Sequence, residues 1–351
     1  MSNGPLRIEQ YETVRYDINC NPLGVPDSVT RAIMENISAV GRYPDTYYDP
    51  LRNAIASYAC CAPEHLVLGS GSSDLLRLFV ALLAPKKALL PIPSATDYEH
   101  VLSVYGCETD FYELDINQDY HLDMDDYIAH ISDTNDIVIH KNQNKPTTQN
   151  ISKTNIEKLA AACKELGIAL LLDEMYIEFT ENYERNTAIS LVNTYDNLII
   201  LRSVSKFFSV PGLRLAYAIM NNETNMTIIN MTATPNSISC LTAAACTAML
   251  EDTAYIHESH SRIFTERNLI YAAMNTNKNL RLFKPSANFA LMQIIKENFT
   301  AKNLLEHYNL KGIVIRNCEN FHGLDSHFVR FSIMNPMQND LMVNTILELL
   351  R

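Results

Sequence analysis

Lys206 lies just past an apolar run, Leu198-Ile199-Ile200-Leu201, with Ser203 and Ser205 before it and Arg214 eight residues after. A lysine amine at a strand's end can form a Schiff base, and two hydroxyls with a guanidinium suit a dianionic phosphate. A covalent amine anchor beside a phosphate cradle is what pyridoxal phosphate requires. Thirty-three residues upstream, Ala169-Leu170-Leu171-Leu172-Asp173 reads as a buried parallel strand ending in a carboxylate. Such a carboxylate can hold the pyridine nitrogen of this cofactor protonated, which makes the ring an electron sink. Tyr176, three residues on, can donate a hydrogen bond to the phenolic oxygen. Singly, each feature is ordinary: a lysine past a strand is by default a solvated loop residue, and an aspartate commonly caps a strand exit. Their joint order gives them weight.

Further upstream, Leu66-Val67-Leu68 runs into Gly69-Ser70-Gly71-Ser72-Ser73-Asp74, and a helical pattern then begins with Leu75, Leu76, Phe79, Leu82 and Leu83. Small residues at a strand-to-helix turn let backbone N–H groups approach a phosphate, which makes Gly71, Ser72 and Ser73 candidate cofactor contacts. Ser72 and Ser73 also suit an ordinary helix cap.

The elements that must position these residues alternate. Short apolar strands are expected at Leu66–Leu68, Ala88–Leu90, Thr109–Tyr112, Ile137–His140, Ile168–Leu172 and Leu198–Leu201, separated by amphipathic helices. This pattern predicts βαβ units in a mainly parallel sheet sandwiched by helices, with the site along the strands' carboxyl ends. From about Thr253 a long helix leads into a smaller α+β part, with strands near Phe289–Ile294, Gly312–Ile315 and Phe328–Ile333 and a C-terminal helix. The expected division is a large cofactor-binding domain over 46–250 and a small domain over 1–45 and 251–351, including an N-terminal arm.

The chain resembles the fold-type I pyridoxal-phosphate enzymes, in particular the group of histidinol-phosphate aminotransferases and threonine-phosphate decarboxylases. The resemblance covers nearly the whole chain. It begins at Asn19-Cys20-Asn21-Pro22-Leu23-Gly24 and continues through Arg42-Tyr43-Pro44-Asp45, the Gly/Ser loop and the Asp173 and Lys206 segments. It ends with Pro285-Ser286-Ala287-Asn288-Phe289 and Phe328-Val329-Arg330-Phe331-Ser332. It implies that Lys206 is the Schiff-base lysine, Asp173 the partner of the pyridine nitrogen, and Tyr176 a donor to the phenolic oxygen. Ser72, Ser73, Ser203, Ser205 and Arg214 would hold the phosphate, and Tyr43 would reach the partner subunit's cofactor across a homodimer. Asn21, Arg316 and Arg330 would face the substrate, with Arg330 clamping its carboxylate through a bidentate fork.

Two departures stand out. The family's N-P-N-N-P-T-G loop reads here as Asn142-Gln143-Asn144-Lys145-Pro146-Thr147-Thr148, so Lys145 stands where an asparagine bonds the phenolic oxygen. Its charge would hold that oxygen ionised. The aromatic residue that stacks on the ring should follow Pro93-Ser94, where this chain has Ala95, and Tyr98 is the candidate to fill the space.

A chain of 351 residues with 47% hydrophobic content can bury a large core, and a net charge of −12 argues against a nucleic-acid partner. The opening MSNGPLRIEQYE lacks the apolar core of a signal peptide, and no apolar run reaches membrane-spanning length. Eight cysteines without C-x-x-C spacing are read as reduced, which fits the cytoplasm. His257 and His260 share a helix face but lack a third ligand, so no metal is expected. The first-ranked function is an aminotransferase acting on an amino acid or a phosphorylated amino substrate, a biosynthetic role. The alternatives are a decarboxylase of O-phosphothreonine or a similar amino acid, and a relative that binds the cofactor without turnover. The Ile315–Leu324 and Lys206–Gly212 segments resemble the decarboxylases more.

Overall fold

A computed structural model describes residues 13–232 and 236–351. The reading of the first twelve residues therefore lies outside the described residues.

After a short strand β1 (Val14–Arg15), strands and helices alternate through β2 (Leu66–Gly69), β3 (Lys87–Ile92), β4 (Glu108–Glu113), β5 (Ile137–Lys141), β6 (Ala169–Asp173), β7 (Leu198–Ser203) and β8 (Ala216–Ile219). These last seven form one sheet in the order β2-β8-β7-β6-β5-β3-β4. All neighbours are parallel except β8, which runs antiparallel to both β7 and β2. Two reversals restore direction, so the carboxyl ends of β2, β5, β6 and β7 share one edge. The six strands expected from sequence are present. β8 is an addition.

Side-chain alternation splits the strands between two cores. Leu170, Leu172, Leu198 and Ile200 pack into one, while Leu171, Ile199, Leu201 and Ile139 pack into the other. A sheet buried on both faces tolerates few polar residues, so those at its carboxyl edge stand out.

The later chain carries the long helix Thr253–Met274 and a second sheet, with strands β9 (Leu280–Leu282), β10 (Phe289–Ile294), β11 (Ile313–Val314), β12 (Arg316–Asn317) and β13 (Phe328–Ser332), before the helix Pro336–Leu349. The order β12-β13-β10-β9 is antiparallel throughout, and β11 pairs instead with β1. The amino-terminal arm is stitched to this part. Ser332 donates its backbone N–H to Tyr16 O at 2.7 Å and its hydroxyl to Asn19 Oδ1 at 2.8 Å, and Asn288 Nδ2 donates to Asn19 O at 2.9 Å.

Candidate active site

A cavity of about 160 Å3 opens at the carboxyl ends of β5, β6 and β7. It brings together Ser72, Asp173, Tyr176, Ser203, Ser205, Lys206 and Arg214, with Lys145 beside them. Larger clefts exist, one of about 530 Å3 around Tyr183 and His260, but they lack this set of groups.

Ser203 ends β7 and caps the single turn Val204–Phe207 through its hydroxyl, which accepts from Ser205 N at 3.2 Å. That turn aims Lys206 into the cavity, where Nζ donates to Ile18 O of the arm at 2.8 Å. Burial lowers the lysine's pKa, with Arg330 and Arg214 adding to the effect and Cys20 opposing it. An ammonium disfavoured in this way gives up its proton more readily, as a carbonyl-reactive amine must.

Asp173 is 5% exposed. Its Oδ1 accepts from Met175 N and its Oδ2 from the Tyr98 hydroxyl, both at 2.9 Å. Burial raises its pKa, and Lys141 is the foremost group opposing that rise. Tyr176 is buried and pushed up to about 12, chiefly by desolvation against the pull of Arg330 and the Asn19 amide, so its hydroxyl stays a donor near neutrality.

The phosphate cradle has a steric signature. Gly71 precedes the helix Ser72–Leu83 at φ 94°, and a Cβ there would collide with the Arg214 guanidinium. Arg214 itself adopts a left-handed φ of 55°. Glycine thus permits a close approach of backbone and guanidinium, with the hydroxyls of Ser203 and Ser205 opposite, 3.1 Å apart. Ser72 lines the cavity, while Ser73 is exposed and outside the lining. Amine, carboxylate, phenol and anion cradle therefore fit pyridoxal phosphate.

Arg330 lies on β13 in register with Arg316 on β12, so both side chains share a face. Arg330 is 5% exposed; its Nη2 donates to Asp17 O at 2.6 Å and its Nε has no partner. Arg316 is half-buried and donates to Asn320 Oδ1 at 2.7 Å; neither arginine is part of the cavity lining, though Arg330 acts on Tyr176 and Lys206, which are. Asn21 does not reach the cavity. Its Nδ2 donates to Phe207 O and Ser259 Oγ and its Oδ1 accepts from Leu23 N, so it ties the arm to the Lys206 turn. Tyr43 is 84% exposed and does not line this chain's own cavity.

Four lining or adjoining residues lay outside the sequence-based site. Tyr98 was expected to fill a stacking space, yet its hydroxyl is committed to Asp173. Lys141, Asp97 and Gln143 all line the cavity. Lys141 follows Ile137-Val138-Ile139-His140 at a buried position that is costly for a cation, but that pattern alone does not show what the lysine faces. Gln143 is 2% exposed with both amide atoms unpartnered. Lys145 finds no hydrogen-bond partner among the described residues, and burial lowers it to about 8 against the opposing charge of Asp97.

Comparison with known proteins agrees with this geometry. The crystal structure of the histidinol-phosphate aminotransferase from Clostridium acetobutylicum matches with a TM-score of 0.89 at 33% identity, covering 96% of this chain and 99% of that one. The threonine-phosphate decarboxylase of Salmonella typhimurium is 27% identical over 98% of this chain and 93% of its own length. The histidinol-phosphate aminotransferase of Methanosphaera stadtmanae is 25% identical over 97% and 92%. The family model for aminotransferase class I and II matches residues 12–346. With its anchor lysine, buried carboxylate and anion cradle converging on one sheet edge, the chain belongs to the aminotransferase class I and II family, whose cofactor is pyridoxal phosphate.

Proposed function

We propose that the protein transfers the amino group of an amino acid or a phosphorylated amino substrate to a 2-oxo acid. The observation that carries this reading is Arg330, a buried guanidinium with a free Nε, directly across the strand pair from Arg316. Two cations on one face suit the two carboxylates of glutamate and 2-oxoglutarate, or the phosphate of a phosphorylated amine. Ser72, Ser203, Ser205 and Arg214 would hold the cofactor phosphate, with Ser73 at the rim of the turn. Asp173 would pair with the ring nitrogen, and Tyr176 and Lys145 would lie at the phenolic oxygen. When bound, the cofactor supplies an electron sink for charge developing at the substrate Cα. Lys206, returned to a free amine by substrate, would carry the proton to and from Cα. Arg330 would fix the carboxylate and so decide which Cα bond is free to break. The arm residues Ile18 and Asn21 would close the cavity behind Lys206 against water.

A decarboxylase is the second reading, favoured by the Salmonella relative and by the resemblance of the Ile315–Leu324 segment to the decarboxylases. The test supplies purified protein and cofactor with histidinol phosphate plus 2-oxoglutarate, and separately with O-phosphothreonine. Glutamate formation supports amino-group transfer, carbon dioxide release supports the second reading, and silence in both points to binding without turnover.

Tyr43 belongs to the same proposal. Met34, Ile37, Val40, Tyr43 and Tyr47 are 56–84% exposed within one short segment. An apolar strip of this kind suits burial against a second copy, where Tyr43 would reach the neighbouring cavity. We therefore expect a homodimer, with a large unit over 46–250 and a small one over 1–45 and 251–351. No helix among the described residues is long and apolar enough to cross a membrane, and the eight free cysteines suit a reducing cytoplasm.

A further inference from the structure

We infer that Lys141 is a positioning residue that keeps Asp173 in its charged form, and that Asp97 sets how strongly it does so. The inference rests on the reading above that Asp173 pairs with the cofactor's ring nitrogen. Lys141 and Asp173 close neighbouring parallel strands and are register partners. The Lys141 side chain is 6% exposed. Its Nζ donates to Ala95 O at 2.9 Å and to Asp97 Oδ1 at 3.0 Å, and it lies 4.3 Å from the centre of the Tyr98 ring. The Tyr98 hydroxyl then bonds Asp173. Ammonium, ring and carboxylate thus form one packed line from Asp97 to Asp173.

A buried ammonium is costly, and an apolar residue would close β5 without that cost. What the cation adds is a field at Asp173. That carboxylate lies deep enough for burial alone to favour its neutral form, and Lys141 leads the groups that oppose this, ahead of the Met175 N–H and the Tyr98 hydroxyl. Asp97 acts in the opposite sense, both by its own charge and by pairing with Lys141. The other ionisable groups facing the same space are Lys145 from the loop after β5, Tyr176 from the loop after β6, Lys206 from the turn after β7 and Arg214 from the segment before β8. Ala95 is buried and small, which leaves its carbonyl open to the lysine.

The test is the affinity of the full-length, cofactor-stripped protein for pyridoxal phosphate, measured by absorbance from pH 4.5 to 8.5. A carboxylate that must be charged to bind gives an acid limb, along which affinity falls as pH drops through its pKa. Lys141→Gln should move that limb to higher pH by about one unit, a tenfold loss of affinity at a fixed pH on the limb. Asp97→Asn should move it the other way, and Lys141→Arg should restore the parent profile. Opposite shifts from two members of one ion pair separate a field effect from loss of packing, which would weaken both variants alike. Limbs that coincide with the parent's in Lys141→Gln and Asp97→Asn overturn the inference while leaving the role of Asp173 intact. A limb unchanged in Asp173→Asn would overturn that role, and the inference with it.

Discussion

The carboxylates of Asp173 and Glu174 are adjacent in sequence, both buried, and serve two differently built clusters. Glu174 is fully matched. Its Oε1 accepts from Ala188 N at 2.7 Å, and its Oε2 accepts from Thr187 Oγ1 at 2.7 Å and from Arg202 Nη2 at 2.8 Å. Arg202 is 1% exposed and also meets Glu178 at 3.5 Å. Around Asp173, by contrast, buried polar atoms are left over: both amide atoms of Gln143 share its cavity without a partner, and the unpartnered Nε of Arg330 belongs to a guanidinium that acts on neighbouring Tyr176. Buried polar groups are ordinarily paired, so a saturated cluster is there to hold the chain and an unsaturated one is there to receive something.

That contrast can be broken by exchanging the roles. Arg202→Met would leave Glu174 and Glu178 buried without their cation. The expected loss is about 3–5 kcal/mol of unfolding free energy in urea titration. A loss below about 1 kcal/mol would show that the cluster is dispensable. Asp173→Asn should leave stability nearly unchanged yet slow the single-turnover reaction about a thousandfold, roughly 4 kcal/mol of barrier. A rate within a few-fold of the parent, with cofactor occupancy confirmed by absorbance, would make Asp173 merely structural.

Gly71→Ala tests the cradle. At φ 94° the new Cβ both strains the backbone and meets the Arg214 guanidinium. Weakening of cofactor binding by about tenfold or more is expected, on the order of 1–3 kcal/mol. Unchanged affinity would mean that Arg214 does not hold the phosphate.

The smallest effect concerns Glu178, at the edge of the saturated cluster beside the unpartnered hydroxyls of Tyr58 and Tyr217. Glu178 has an unpartnered Oε2, and burial raises its pKa to about 7 against the pull of Arg202. Its folded pKa therefore exceeds the unfolded value. The stability it contributes is complete below about pH 4 and is lost as pH rises through about 7. Glu178→Gln should flatten the fall in melting temperature between pH 5 and 7.5, a difference on the order of 1 kcal/mol. Parallel curves would show that the carboxyl is relieved in solution.

Much of the site was readable because its members close strands. Asp173 and Lys206 follow apolar runs too hydrophobic to end in a charge by accident, and Gly71 sits where a strand becomes a helix. The features that escaped depend on pairing across the sheet. Lys141 counts only because β5 and β6 are in register, a relation that strand patterns do not contain. The hydroxyl of Tyr98 reaches Asp173 from a helix 75 residues away in sequence. Asn21 shows the converse: the asparagine-proline motif was legible, but the three protein partners of its amide were not.

The stitching of the arm to β13 also has a consequence in time. Ser332 is joined to Tyr16 and Asn19 across more than 300 residues of chain. During synthesis, Lys206 and Arg214 leave the ribosome well before Arg330. At a typical 5–20 residues per second, the interval is on the order of ten seconds. Throughout that interval the arm lacks its stitches to β13 and can be held only through Asn21 at the Lys206 turn. The cradle can be complete while the substrate clamp is still unmade, and a nascent chain would be able to take its cofactor before it could take its substrate.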